Sequence, residues 1–410
     1  MATRLRLLLD WPMLGASSLL LLIGLATVYS ATSVPGAHEG LWGRQLVSLG
    51  FALIAAWMAA SLHYRAHDSL AYPLYLVSLA LLLLVLIIGT SAMGAKRWLE
   101  FGPVRFQPSE LAKIATVFVL ARQLSHPKLD LTRFRDWFRP LIIALVPFAL
   151  VAKEPDLGTS LSFPVILVAM YYWAGMPAGN LLLGLSPGFT LVLSFLLSPR
   201  NVPFWIVIGL VLGGLLVAAR PRRLLLATAL LLNLGVAVTM PKVKDRLHDY
   251  QLRRIETFLN AEQDPQGAGY QIIQSRIAIG SGGVLGKGWL KGTQKALSFL
   301  PMRHTDFIFA VVGEERGLIG TLLVVVLYGI VILRGYRLAA VARNGFASLL
   351  AVGLVSSLFF HVMVNILMTI GWAPVTGLPL PLLSYGGTAL IVNCVQLGLL
   401  QNVALRRQEY

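Results

Sequence analysis

The residues best equipped for chemistry lie in a polar stretch, 241–304, that interrupts an otherwise apolar chain. Asp264 stands in EQDPQGAGY, where Pro265 restricts the backbone and Gly267 and Gly269 permit turns that bring main chain close to a ligand. Around it run Lys242, Lys244, Arg246, Arg253, Arg254, Arg276, Lys287, Lys291, Lys295 and Arg303. A carboxylate among such cations is suited to three tasks: general base on a hydroxyl, ligand to a divalent metal, or cap of a turn. Spacing alone leaves all three open, and Asp-Pro is a common turn start. Glu256 and Glu262 are competing acids, Glu256 being placed to pair with Arg253. IGSGGVLGKG has the glycines and lysine of a phosphate loop but not the GxxxxGK[ST] spacing, so it gives no warrant for a nucleotide.

A second set of polar residues falls within or beside apolar runs, where an ionisable group is costly unless paired or facing water. Glu110 and Lys113 in QPSELAK are spaced i, i+3 and can meet on one helix face. Lys153, Glu154 and Asp156 frame Pro155, which predicts a helix break with Asp156 capping a fresh start. His304 and Asp306 precede the run FIFAVVG, and Glu314, Glu315 and Arg316 follow it. His361, Asn365, Asn393 and Gln396 read as hydrogen-bonding groups between helices.

The elements that must hold these groups are membrane helices. Hydrophobic residues make up 57% and charged residues 13% of the 410, with mean hydropathy +0.74, against about a quarter charged in soluble domains. The net charge of +16 sits in short clusters between apolar runs, which points to an anionic membrane and away from nucleic acid. The single cysteine, Cys394, excludes an internal disulfide and a thiolate cluster. The basic start resembles a signal peptide, yet its apolar run is long and more follow, so it reads as a retained first helix. About twelve spans are expected, near 12–32, 43–62, 71–91, 108–124, 139–153, 157–174, 181–197, 203–219, 222–240, 305–334, 346–371 and 378–405.

Walking these spans alternately across a membrane puts most Lys and Arg on one face, the cytoplasmic one, together with both termini. Two opposite-face connections break the bias: 92–107, with Lys96, Arg97 and Arg105, and the 241–304 loop. Cations on that face suit an anionic ligand or lipid headgroups.

The strings GAKRWLEFGPVRFQPSELAK, EPDLGTS, DPQGAGYQIIQSRIAIGSGGVLGKGWLKGTQ, FLPMRHTDFIFAVVGEERGLIG and GLPLPLLSYGGT, in this order, resemble the SEDS family of bacterial cell-wall proteins, its elongation-type members more than its division-type ones. The resemblance implies an all-α polytopic bundle of about 10–12 transmembrane helices, a single integral membrane domain over 1–410, in the bacterial cytoplasmic membrane. It implies a peptidoglycan glycosyltransferase that polymerises lipid II on the outer face and releases undecaprenyl pyrophosphate. A class B penicillin-binding protein and other elongation-complex membrane proteins would be partners. It makes Asp264 the catalytic residue, as general base or as ligand to a divalent cation such as Mg or Mn, with no organic cofactor. Trp98, Arg97, Glu110, Lys113, Lys153, Asp156, His304, Asp306 and Glu314 match motif positions and would bind substrate, or in the case of the last three hold the loop. A flippase for lipid-linked precursors and a scaffold for the penicillin-binding protein are the alternatives.

The chain departs from the family at Ala261, Gln266, Met302 and Arg316, the last standing where Leu is usual. It also has about two spans more than the family, and 181–219 is the expected extra hairpin.

Overall fold

The computed structural model describes residues 9–33, 40–62, 64–92, 95–102, 104–197, 199, 201–219, 223–244, 268–293 and 302–406. The chain forms two compact units, one of Met1–His126, Pro140–Met170 and Glu256–Tyr410, the other of Pro127–Arg139 and Tyr171–Ile255.

The larger unit opens with α1 (Trp11–Thr32), α2 (Leu41–Ser61) and α3 (Tyr64–Ile88). Asp10 starts α1 by accepting from the Met13 amide at 3.0 Å, followed by a proline in the first turn, a position that needs no amide donor. Then come three short strands, β1 (Thr90–Ala92), β2 (Ala95–Phe101) and β3 (Val104–Phe106), antiparallel in the order β1-β2-β3, with Thr90 opposite Trp98 and Glu100 opposite Arg105. The sequence read this segment only as a connection. Next are α4 (Pro108–Leu124), α5 (Phe138–Lys153), the single turn α6 (Leu157–Ser160) and α7 (Ser162–Trp173), most of it in this unit.

The smaller unit holds a 3-10 turn (Phe134–Trp137), α8 (Ala178–Leu196), α9 (Val202–Ala219) and α10 (Arg223–Lys244). Leu193, Phe204, Ile208, Leu212 and Ala237 form its apolar centre. Asn233 of α10 donates to Ser186 Oγ of α8 at 2.8 Å, an interhelical bond of the kind that replaces hydrophobic drive between lipid-facing helices.

The rest of the larger unit is α11 (Ala268–Ser281), α12 (Ile308–Val341), α13 (Gly345–Thr369) and α14 (Gly387–Leu405). Among the described residues six helices are long and apolar enough to cross a membrane: α1, α2, α3 from Asp68, α12, α13 and α14; α6–α7, α8, α9 and α10 contribute shorter apolar lengths. The expected spans map onto helices throughout, with one correction: the last begins at Gly387, not 378. Pro379 and Pro381 break it, and residues 377–386 are irregular though largely buried. Irregular backbone survives at such a depth only when protein satisfies it. Here Asn365 donates to Leu378 O at 2.7 Å, Ser384 Oγ accepts from the Leu380 amide at 2.8 Å and donates to Thr305 O at 2.6 Å, Gln45 donates to Ser384 O at 3.2 Å, and the Tyr328 hydroxyl donates to Pro381 O.

Small residues let the helices approach. A Cβ on Gly398 of α14 would lie 2.2 Å from Ala56 O of α2, and one on Gly353 of α13 would lie 2.5 Å from the Val117 side chain of α4.

The connections of the larger unit gather at two ends. At one, Arg97 meets Asp156, Thr388 meets Arg105 and Tyr385 meets His304. At the other, Asp10 meets Arg334, Arg122 meets Asp68 and Arg406 meets Ser61. The two ends follow from helices that run alternately up and down the unit.

Candidate active site

Asp264, the proposed catalytic carboxylate, lies outside the described residues, as do Arg246, Arg253, Arg254 and Lys295. What the structure places is the scaffold that follows it. Four residues beyond Asp264 the chain enters α11, which is docked on α12 through Ala278, Phe307 and Ala310 and tied to the end of α13 by the Ser275 hydroxyl, 2.7 Å from Thr369 O.

At the same end sits a polar cluster built on Asp156. Its carboxylate caps α6, as the sequence predicts: Oδ1 accepts from the Thr159 amide at 3.2 Å and Oδ2 from the Thr159 hydroxyl at 3.0 Å. Oδ2 also receives Gln107 Nε2 at 3.4 Å and faces Arg97 Nε at 3.8 Å. The Arg97 guanidinium donates to Pro155 O at 2.6 Å, so β2 is latched onto the break between α5 and α6. Gly158 is required there, since a Cβ would lie 2.9 Å from Thr376 O. Trp98, next on β2, is half-buried and accepts from Thr90 Oγ1 through its carbonyl at 3.3 Å.

Glu154 belongs to this cluster, although sequence reading gave it no role beyond framing Pro155. It is 1% exposed, and neither carboxylate oxygen has a hydrogen-bond partner among the described residues. Burial first, and the Asp156 charge second, push its carboxyl up to about 8, against the opposing pull of Arg97. Lys153 is exposed, and among the described residues no hydrogen bond or ion pair joins it to this cluster.

Deeper in the bundle Glu110 and Lys113 form the expected i, i+3 pair at 2.9 Å, both almost fully buried. Lys113 Nζ also lies 2.8 Å from His361 Nε2, and Ser162 Oγ lies 3.1 Å from the same nitrogen. An ammonium only donates, so Nε2 accepts from it and His361 carries its proton on Nδ1. The network joins α4, α7 and α13. His361 thus has the interhelical role its sequence context suggests.

His304 and Asp306 stand before α12. The His304 ring lies 5.8 Å from that of Tyr385 and its carbonyl accepts from the Tyr385 amide at 2.9 Å; the Asp306 carbonyl accepts from Asn365 at 2.9 Å. Glu314 sits apart from the Asp156 cluster's contacts. Its Oε1 accepts from Lys287 Nζ at 2.8 Å, the Thr293 amide at 2.7 Å and the Thr293 hydroxyl at 2.9 Å, pinning the glycine loop 282–293. That loop pairs with α12 by main chain, Lys287 N to Glu314 O at 2.9 Å and Leu318 N to Gly283 O at 2.9 Å, where Gly317 leaves helical geometry at φ +64°. Its glycines serve close packing: a Cβ on Gly282 would lie 2.0 Å from Gly313 O. Gln107, Tyr385 and Ser384 are site neighbours that sequence reading missed, although each lies inside a quoted motif.

The FtsW/RodA/SpoVE family model, described as a cell cycle protein, matches residues 8–202 and 188–409. The chain belongs to the SEDS family. Among SEDS relatives it is 40% identical over 402 residues to the protein named peptidoglycan glycosyltransferase MrdB of Escherichia coli K12, covering 96% of this chain and 94% of that one. It is 35% identical to the probable peptidoglycan glycosyltransferase FtsW of Geobacter metallireducens, over 93% of this chain and 91% of the relative. Among solved SEDS-like structures, a chain from work titled "Structural coordination of polymerization and crosslinking by a peptidoglycan synthase complex" matches at TM-score 0.74 and 31% identity over 98% of this chain and 99% of that one. The rod shape determining protein RodA of Thermus thermophilus matches at TM-score 0.64 and 28% identity, with 97% of each chain covered.

Proposed function

We propose that this SEDS protein is a peptidoglycan glycosyltransferase of the elongation type, polymerising lipid II into glycan strands. The observation that carries this reading is the 40% identity over 96% of the chain to a relative bearing that activity as its name. In the reaction the 4-hydroxyl of one disaccharide attacks the anomeric carbon of another; the new glycosidic bond forms as the bond to undecaprenyl pyrophosphate breaks, with inversion. Asp264 takes the hydroxyl proton as general base. Arg97 faces the departing pyrophosphate, its guanidinium already steered by Pro155 O and Asp156, so little reorganisation is needed as charge develops. Lys153, Asp156, His304, Asp306 and Trp98 complete the substrate-facing set; the buried Glu110–Lys113 pair holds the helices behind it, while Glu314 holds the loop that follows.

Among the described residues no group of three or more His, Cys, Asp or Glu side chains is placed to hold a metal ion. A divalent cation, where bound, would sit beside Asp264 and supply charge to the departing pyrophosphate. The clustering of Lys and Arg puts the Asp156 end and the 241–304 loop on the outer face of the cytoplasmic membrane and both termini inside. The solved complex that this chain resembles supports a class B penicillin-binding protein as partner.

The test is glycan-chain formation from purified lipid II with a divalent cation, with and without the cognate penicillin-binding protein carrying an inactive transpeptidase site. Polymer from the wild type and none from Asp264→Ala or Asp264→Asn, at equal thermal stability, is the expected result. Equal polymer from all three removes Asp264 from the chemistry. The buried charges of Glu110 and Lys113 favour one second reading, a flippase, and lipid II translocation by the wild type in proteoliposomes without polymer would establish it.

A further inference from the structure

The larger unit carries a groove of about 290 Å³ between α1 and α12 that no part of the polymerase reading uses. Leu22, Ile23, Ala26 and Thr27 form one wall, Val312, Gly320 and Leu323 the other, and Trp289 of the glycine loop stands over one end. The surface around it is one that faces acyl chains: Leu22 is 62% exposed, Leu318 60% and Leu322 58%. Into this apolar rim projects Arg316, exposed and without a hydrogen bond or ion pair among the described residues. The neighbouring acid does not neutralise it at close range. Glu315 is 3% exposed and accepts from Ser30 Oγ of α1 at 2.5 Å.

A guanidinium beside lipid-facing leucines is stable only with a counter-charge, and it suits a phosphate, which it can meet with two parallel donors. Trp289 adds an interfacial anchor. Its indole N–H donates to Ala26 O at 3.3 Å and its ring lies 6.0 Å from that of Tyr29, which in turn meets Trp42 at 5.4 Å. The aromatic group marks the headgroup level, and the groove descends from it along α1. The helix geometry makes the room: Gly320 has no side chain to fill the slot, and a Cβ there would lie 2.1 Å from Arg316 Cβ.

We infer that this groove binds one anionic glycerophospholipid, its phosphate on Arg316 beneath the Trp289–Tyr29–Trp42 aromatic group and one acyl chain between α1 and α12. The site stands on the membrane assignment and not on catalysis, so its test does not read activity. The full-length protein in detergent is titrated with phosphatidylglycerol or phosphatidylcholine and adducts are counted by native mass spectrometry. One retained phosphatidylglycerol on the wild type, at least about tenfold weaker retention of phosphatidylcholine, a similar loss of phosphatidylglycerol in Arg316→Leu and Arg316→Gln, and retention in Arg316→Lys are expected. Ala26→Leu, which fills the groove and leaves the charge, is expected to lose the lipid as well. Melting temperatures within a degree or two of wild type, measured on the same samples, establish that the variants are folded. Equal retention by Arg316→Leu overturns the assignment. So does preference for undecaprenyl phosphate over phosphatidylglycerol, which would make the occupant a polyprenyl lipid.

Discussion

The structure constrains the charge state of Glu154. Its carboxyl, buried in the break between α5 and α6 and pushed up to about 8, is neutral at pH 7. In the unfolded chain it titrates near 4.5. A carboxyl raised on folding gives its full stability below the unfolded value and loses it as pH climbs through the folded one. Thermal unfolding in detergent is expected to show the wild type losing stability between pH 5 and 9 relative to Glu154→Gln, the variant being more stable at pH 9 by more than about 1 kcal/mol. Parallel profiles would mean that Glu154 finds a partner. The Glu110–Lys113 pair makes a different prediction. Lys113→Met strands a buried carboxylate and costs about 3–5 kcal/mol, whereas Lys113→Met with Glu110→Gln recovers most of that loss. Melting curves of the two distinguish a charge left alone from a charge removed. The pair was legible in the sequence because i, i+3 spacing is local. Its third member was not: His361 lies 248 positions from Lys113, and only the packing of α13 on α4 brings them together.

At the scale of elements, the glycine loop shows how a motif can be visible while its purpose is hidden. The spacing of IGSGGVLGKG ruled out a nucleotide loop, yet the requirement met by Gly282, Gly286 and Gly317 is set by a partner segment distant in sequence. Gly317→Ala forces a side chain into φ +64° and places a Cβ 2.4 Å from the Gly286 amide nitrogen. It is expected to cost more than about 2 kcal/mol and to open the 282–293 loop to limited proteolysis. Gly280→Ala is the control: nothing lies within 4 Å of its Cβ, and in α11 it is expected to be neutral or to stabilise by up to about 1 kcal/mol. If both variants melt alike, the close approach carries no energy. The long helices were legible because apolar length alone specifies them. The strands of 90–106 were not, being three to seven residues long and paired only with one another. Nor was the irregular 377–386 segment, whose apolar leucines look like the start of a span until its prolines are counted.

For the whole molecule, the proposed orientation is open to a direct experiment. Cys394 is buried, so the native thiol is a quiet background. Trp372→Cys, at a 76% exposed position beyond α13, is expected to react with an impermeant maleimide on intact spheroplasts. Arg343→Cys, between α12 and α13, is expected to react only after permeabilisation. Reversed labelling would invert the orientation drawn from the Lys and Arg clusters. The contact that closes the other end of the larger unit reaches across nearly the whole chain. Arg334 grips Asp10 with bonds of 2.7 and 3.0 Å, while the Asp10 amide donates to Gln401 of α14 at 3.0 Å and Gln401 Nε2 donates to Asp10 O at 3.2 Å. Ribosomes elongate by about 5–20 residues per second, so the partner of the first helix is made tens of seconds after it. Until then α1 waits in the membrane with its capping acid unmatched. The last piece of this closure is α14: a chain stalled before it already holds the Asp10 carboxylate through Arg334 but leaves the Asp10 main-chain amide and carbonyl without Gln401.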